Sequence, residues 1–314
     1  MVHLKFWSLG RYPNQEPRVN EVLIKVVVST VTAGDCELRR FDIATWIWVP
    51  VRLFMGIFKP RIKSLGQEFS GVIEEIGSDV KNCQVGMEIF STGGMKMGGC
   101  GEYVCLPESH PICPKPTNLS LRAAAAISTG GTNAVHFLRK GQVGEGDDVL
   151  INDAGGSIGT MSLQISKHLG AKVTCIDKAE KHGMLNSLGA DKVIDYRESD
   201  FTILDDKYDV IIDIAGITKL NAAFSRLKPN GRLVLGNPTF TSMLWAAWAT
   251  MTTDKQALVS LAGENQDDNL YLKELTEQGV VKIPIDRSYK LDEIVEAHRY
   301  VETGYKQGNV LIIL

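Results

Sequence analysis

The sequence predicts an α/β protein in which a doubly wound parallel sheet is joined to a second, β-rich domain. A β-branched run from Asp148 to Asn152 passes through the small-residue turn DAGGSIG into Ser157 to Leu169, which carries apolar residues at Ile158, Met161, Ile165 and Leu169. That order reads as strand, glycine turn and amphipathic helix. Further strand patterns follow near Val173, Val193, Val210 and Leu233, with helical patterns between the first of them; such alternation argues a parallel sheet. The first hundred or so residues differ in kind. EVLIKVVVSTV, GVIEEIGSDV and the loop STGGMKMGGCGEYVCLP read as short strands and turns.

Taken in order, residues 1–117 are expected to form the β-rich domain and 118–266 the parallel α/β domain, with a sixth strand at Ala257 to Ala262. Residues 267–314 return to the first domain. Pro284 to Tyr289 and Asn309 to Leu314 read as strands flanking a helix from Leu291 to Thr303. The site should lie in the cleft between the domains, above the carboxyl ends of the parallel strands.

Ala154, Gly156 and Gly159 occupy the three small positions of a G-x-G-x-x-G fingerprint, with alanine first and Gly155 inserted. Gly156 would let the backbone approach a pyrophosphate, and Gly159 would let the helix pack closely. Ser157 and Ile158 open that helix, whose N-terminus offers N–H groups and a positive dipole. A tight turn without a ligand reads the same in isolation. Asp177, ending the next strand eighteen residues beyond Gly159, is placed to accept from an adenosine ribose 2′-OH and favours the nucleotide reading.

The chain has 314 residues, 44% hydrophobic and 23% charged, with a net charge of −3. This composition suits a soluble two-domain protein and gives no footing for nucleic acid or an anionic membrane. The opening MVHLKFWSLGRYPNQEP lacks a secretory apolar core, and no apolar run reaches membrane-spanning length. A cytoplasmic protein is expected. The cysteines at 36, 83, 100, 105, 113 and 175 fit free thiols in a reducing compartment. Cys100, Cys105 and Cys113, with His110 among them, lack a C-x-x-C knuckle, so no metal is expected there.

EVLIKVVVSTVTAGDCELRR, LGQEFSGVIEEIGSDVKNCQVGMEIF, GEYVCLPE, VLINDAGGSIGT, SLGADKVIDYRESDF, LKPNGRLVLGN and EAHRYVETGYKQGNVLI run in one order to the C-terminus. Together they resemble the medium-chain dehydrogenases/reductases, in the zinc-independent, quinone-oxidoreductase-like branch. The resemblance implies a GroES-like β-barrel catalytic domain and a Rossmann domain. It adds Thr129, Gly216, Gly236 and Asn309 to the cofactor contacts, with Lys178 beside Asp177. Relatives begin with an additional strand-and-turn segment, which MVHLKFWSLGRYPNQEP replaces, so an edge strand of the catalytic domain is expected to be absent.

Zinc-dependent members hold the ion with a cysteine, a histidine and a further cysteine. The corresponding positions here are Thr32, Gln67 and Ala125 or Ala126, and the four-cysteine structural loop is missing. Without a Lewis acid, the resemblance implies hydride transfer from a reduced nicotinamide to a quinone or to the β-carbon of a conjugated carbonyl. Thr32, Asp35 and Gln67 are the candidate catalytic residues: Thr32 or Gln67 would donate to the substrate oxygen, and Asp35 would orient them or form a turn. NADP-preferring relatives carry Ser, Thr and Arg where this chain has Asp177, Lys178, Ala179 and Glu180. Two carboxylates would repel a 2′-phosphate, so NAD(H) is favoured over NADP(H), with Lys178 and Lys181 moderating the preference.

Two further readings stay open: a zinc-independent alcohol or aldehyde dehydrogenase, and a nucleotide-binding sensor or structural protein without turnover. Trp46, Trp48 and Phe54 would wall an apolar substrate pocket or pack in a core. Thr239 to Met251, TFTSMLWAAWATM, is expected to form a homodimer contact, a substrate mouth or a buried helix. His136 and His168 fall in predicted helices, and His298 in EAHRY reads as structural, so protonation is assigned to water.

Overall fold

The computed structural model describes residues 16–43, 47–56, 61, 64–94, 97–216, 219–259, 262–263 and 265–314. Of the predicted departure MVHLKFWSLGRYPNQEP, all but Glu16 and Pro17 lies outside them, as does Trp46.

The β-branched run of β1 (Glu21–Thr30) is buried along most of its length and forms the spine of the first unit. Thr32 caps α1 (Ala33–Arg40), which ends at Phe41 in the left-handed region, and α2 (Trp48–Met55) follows. Then come β2 (Glu68–Ile76), β3 (Glu88–Thr92), β4 (Tyr103–Pro107) and β5 (Ile112–Pro114). The chain enters the second unit through α3 (Leu121–Ala124) and α4 (Ser128–Lys140).

There β6 (Asp148–Asn152), α5 (Ser157–His168), β7 (Lys172–Asp177), α6 (His182–Ser187) and β8 (Lys192–Asp195) alternate as predicted. They are followed by β9 (Tyr208–Asp213), α7 (Leu220–Ser225), β10 (Leu227–Leu235), α8 (Phe240–Thr252), β11 (Gln256–Val259) and α9 (Gln266–Glu277). The chain closes with β12 (Ile285–Lys290), α10 (Ile294–Glu302) and β13 (Asn309–Ile313).

The second unit's six strands run in the order β11-β10-β9-β6-β7-β8, all parallel. This is the doubly wound order, with the chain reversing direction across the sheet between β6 and β9. One face carries α4, α5 and α9 over Val149, Ile151, Val173 and Val210; the other carries α7 and α8 over Leu150, Ile211 and Leu233. The first unit's seven-stranded sheet runs β12-β13-β1-β2-β3-β5, with β4 also on β1. The last strand therefore pairs directly with the first, through Val28 opposite Ile313.

Helix α9 buries Leu272 and Leu275 in the same core as Val149. Helix α2 buries none of its residues: Trp48 and Phe54 are exposed, with Phe41 edge-on to Trp48 at 5.4 Å, so these two side chains do not pack in a core.

Candidate active site

The capping of α1 builds the polar set. Thr32 Oγ1 accepts from the Asp35 N–H at 3.1 Å, and Asp35 Oδ2 accepts from the Thr32 N–H at 2.9 Å and its hydroxyl at 2.7 Å. Asp35 Oδ1 accepts from the Gln67 N–H at 3.1 Å, while Thr32 Oγ1 lies 2.9 Å from Gln67 Oε1. The three predicted residues thus form one hydrogen-bonded unit, in which Asp35 both caps the helix and orients the other two. Burial pushes the Asp35 carboxyl up to about 6, against the hydrogen bonds from Thr32 and Gln67.

Sequence reasoning missed the next residue. Glu68 is completely buried, accepts from Thr30 Oγ1 at 2.9 Å and takes the Thr129 N–H of α4 at 2.7 Å. This bond ties the polar set to the second unit, and Thr129 sits on it as the helix opens. Burial raises the Glu68 carboxyl to about 7. Its protonation favours the native state: the contribution is complete below about 4.5 and is lost as pH rises through about 7. Glu68→Gln should therefore gain stability on wild type between pH 5 and pH 8, by on the order of 3 kcal/mol. Melting temperatures of both proteins across that range test this, and profiles that stay parallel would contradict it.

The nucleotide-type turn lies at the carboxyl edge of the parallel sheet. Ala154 is buried, and Gly156 caps α5 without any side-chain hydrogen bond. A Cβ on Gly159 would fall 2.4 Å from the Asp153 carbonyl oxygen, so that glycine is demanded by the protein's own packing. A Cβ on Gly156 would meet nothing nearer than 3.6 Å, leaving room above the first N–H groups of α5. Ser157 opens the helix, and Ile158 packs partly against the core. Asp153, a non-glycine residue at φ 66°, is raised to about 6 by burial and by Asp177. Neighbouring strand ends complete the edge. Gly216 N–H donates to Asp213 Oδ1 at 3.0 Å, Gly236 N–H to the Asp213 carbonyl at 2.8 Å, and Asn309 N–H to the Pro284 carbonyl at 3.0 Å.

Asp177 stands at the predicted strand end but turns onto the glycine turn. It is buried, accepts from the Gly155 N–H at 2.7 Å and the Lys178 N–H at 2.8 Å, and pairs with Lys181 at 2.9 Å. Glu180 pairs with Arg197, which also holds Asp195. Lys178 lies 3.9 Å over the Tyr305 ring.

Elsewhere, His298 is buried with Nδ1 3.3 Å from Cys36 Sγ, joining α10 to α1. None of the six cysteines is in a disulfide. Among the described residues no three of His, Cys, Asp and Glu form a metal-holding group, and no helix is long and apolar enough to cross a membrane. Helix α8 buries Ala246 and Ala249 and exposes Phe240, Leu244, Trp248 and Met251, so it is a half-covered rather than a buried helix.

The family described as alcohol dehydrogenase GroES-like domain matches residues 18–117, and that described as zinc-binding dehydrogenase matches residues 188–312. A 2-methylene-furan-3-one reductase of Solanum lycopersicum is 29% identical over 93% of this chain and 71% of its own length. An NADPH-dependent alkenal/one oxidoreductase of Arabidopsis thaliana, described as chloroplastic, is 26% identical over 95% and 73%. The solved structure of the quinone oxidoreductase from Coxiella burnetii superposes with a TM-score of 0.88 at 30% identity, covering 99% of this chain and 96% of that one.

Proposed function

Since the chain belongs to the medium-chain dehydrogenase/reductase superfamily, among its quinone-oxidoreductase-like members, we propose that it reduces quinones or α,β-unsaturated carbonyls with a nicotinamide dinucleotide and without zinc. The observation that carries this reading is the Glu68–Thr129 bond, which sets the Thr32–Asp35–Gln67 unit beside the domain that bears the glycine turn. The open space over Gly156 and the uncapped start of α5 fit a pyrophosphate. Gly155, Gly156, Ser157 and Ile158 would hold it, with Thr129, Gly216, Gly236 and Asn309 along its length. When bound, the reduced nicotinamide supplies hydride to the acceptor. The protein's part is to exclude water, orient the acceptor and donate a hydrogen bond to its oxygen as negative charge grows there.

Zinc does not fit these residues. The positions that would ligate it are Thr32, Gln67 and Ala125 or Ala126; the alanines offer no donor atom, and Thr32 and Gln67 are both engaged by Asp35. The nucleotide preference also changes once the side chains are seen. Asp177 pairs with Lys181, and Glu180 and Asp195 pair with Arg197, so both carboxylates expected to repel a 2′-phosphate are ion-paired. We therefore read the chain as accepting NADH and NADPH, with kcat/KM values within about tenfold of each other, a difference of roughly 1.4 kcal/mol.

Chelator-treated protein should oxidise NADH and NADPH with quinones and conjugated carbonyls as acceptors. Turnover restored only by zinc, or confined to simple alcohols and aldehydes, would overturn the reading, and tight cofactor binding without any turnover would favour a sensor. The homodimer belongs to the same proposal, supported by the open edge strand β11 and the exposed apolar face of α8 beside it. A monomer by light scattering would remove it.

A further inference from the structure

Two lysines are buried beside the glycine turn, and they differ in one respect. Lys181 is paired with Asp177, whereas Lys306, 8% exposed, has no carboxylate within ion-pairing distance among the described residues. Its ammonium donates to the Gly308 carbonyl at 2.7 Å and to Ser157 Oγ at 3.2 Å. Both acceptors are neutral, and the third N–H has no acceptor among the described residues. Burial holds the Lys306 pKa below its ordinary value, with Asp153 acting in the opposite sense. An unpaired ammonium removed from water is expensive, and proteins keep one chiefly where an anion will meet it.

The chain is built to bring it there. The Gly308 N–H donates to the Gly155 carbonyl at 2.9 Å, fastening the return segment to the glycine turn. Gly308 has φ 73°, and a Cβ on it would lie 2.6 Å from the Pro284 carbonyl oxygen, so this approach depends on glycine. Ser157, the hydroxyl that Lys306 touches, is the first residue of α5, the twelve-residue helix whose cap makes no side-chain bond.

We propose that Lys306 is the counter-ion of the cofactor pyrophosphate, completing from the C-terminal return segment an anion site whose remaining donors are Ser157 Oγ and the first N–H groups of α5. This rests on the dinucleotide reading above. A cation on the return segment couples cofactor binding to the closure of one unit on the other. It also places a positive charge near Asp153, whose carboxylate would otherwise oppose a phosphate.

The test uses the full chain and its Lys306→Met and Lys306→Arg variants, with titration calorimetry of NADH, ADP-ribose and adenosine, and melting curves with and without ligand. Lys306→Met should weaken NADH and ADP-ribose by roughly 30-fold or more, leave adenosine unchanged and flatten the salt dependence of ADP-ribose binding. Lys306→Arg should recover part of the loss. Without ligand, Lys306→Met should melt no lower than wild type, because it loses an unpaired buried charge. Unchanged ADP-ribose affinity in Lys306→Met, or a lower ligand-free melting temperature with affinity retained, would make the residue structural and overturn the proposal. Should Lys306→Met fail to fold, Lys306→Gln takes its place in both measurements, with the same expected and overturning results. Wild type that binds neither NADH nor ADP-ribose would instead overturn the dinucleotide reading itself.

Discussion

Gly159→Ala should cost about 3 kcal/mol of stability and abolish dinucleotide binding, whereas Gly156→Ala should leave the fold nearly intact and still lose most of the binding. The contrast comes from what a single methyl meets. At Gly159 it would lie 2.4 Å from the Asp153 carbonyl oxygen and 2.5 Å from two backbone carbons of Ala154, atoms that move only if the turn between β6 and α5 moves. Overpacking a well-filled site costs about 1–3 kcal/mol, and backbone neighbours put this case at the upper end. At Gly156 the backbone is extended and the nearest atom, Asp153 Oδ2, is 3.6 Å away, so alanine costs only a helix cap preference, about 0.5–1 kcal/mol. The methyl would then stand where the pyrophosphate should approach. Melting temperatures and NADH titrations of the two variants separate the roles. A wild-type melting temperature for Gly159→Ala would refute the packing argument, and wild-type NADH affinity for Gly156→Ala would refute the ligand argument.

The turn was legible because strand, small residues and a 3.6-residue apolar period are all local. The polar set is legible only through the family resemblance; the capping box of Thr32 and Asp35, three residues apart, comes from the structure. Glu68 was not legible. An acidic residue at the start of a strand ordinarily faces solvent, and its burial here depends on a backbone N–H sixty-one positions later in the chain. Asp177 was placed correctly at its strand end, but its rotation onto the Gly155 N–H follows from Lys181, one helical turn onward, which sequence counts only as a nearby charge. The apolar strings of α2 and α8 left a surface reading and a buried reading both open. Hydrophobicity reports what a segment would prefer to cover, and both helices leave Trp48, Phe54, Trp248 and Met251 at the surface. Lys306 could be found only once β13 was seen beside β1 and the return segment beside the glycine turn.

Gln67→Leu is expected to lower kcat on quinone or enone acceptors by about 100-fold, and Thr32→Val by about tenfold, with NADH affinity unchanged in both. Either side chain would suit a donor to the substrate oxygen on residue type alone. Proton accounting separates them. The Thr32 hydroxyl has one hydrogen and two acceptors, Asp35 Oδ2 at 2.7 Å and Gln67 Oε1 at 2.9 Å. A carboxylate takes it in preference to an amide carbonyl, because the charge-assisted bond is about twice as strong. With its carboxyl near 6, Asp35 is mostly ionised at pH 7 and holds that hydrogen. Thr32 then serves as a positioning residue, and the Gln67 amide remains as the group with N–H hydrogens to donate. Losing one donor aimed at a developing oxyanion costs about 10²- to 10³-fold in kcat, the scale assigned to Gln67. Losing the threonine hydroxyl costs a helix cap of about 1 kcal/mol and leaves the glutamine less well oriented. Thr32→Ser, which keeps the hydroxyl, should restore the rate. A pH signature follows from the same protons: below about 6 Asp35 is protonated, the Thr32 hydrogen is released to Gln67 or substrate, and the penalty for Gln67→Leu should shrink. Steady-state rates of the three variants from pH 5 to pH 8 decide it, and a larger loss in Thr32→Val than in Gln67→Leu at pH 7 would exchange the two roles.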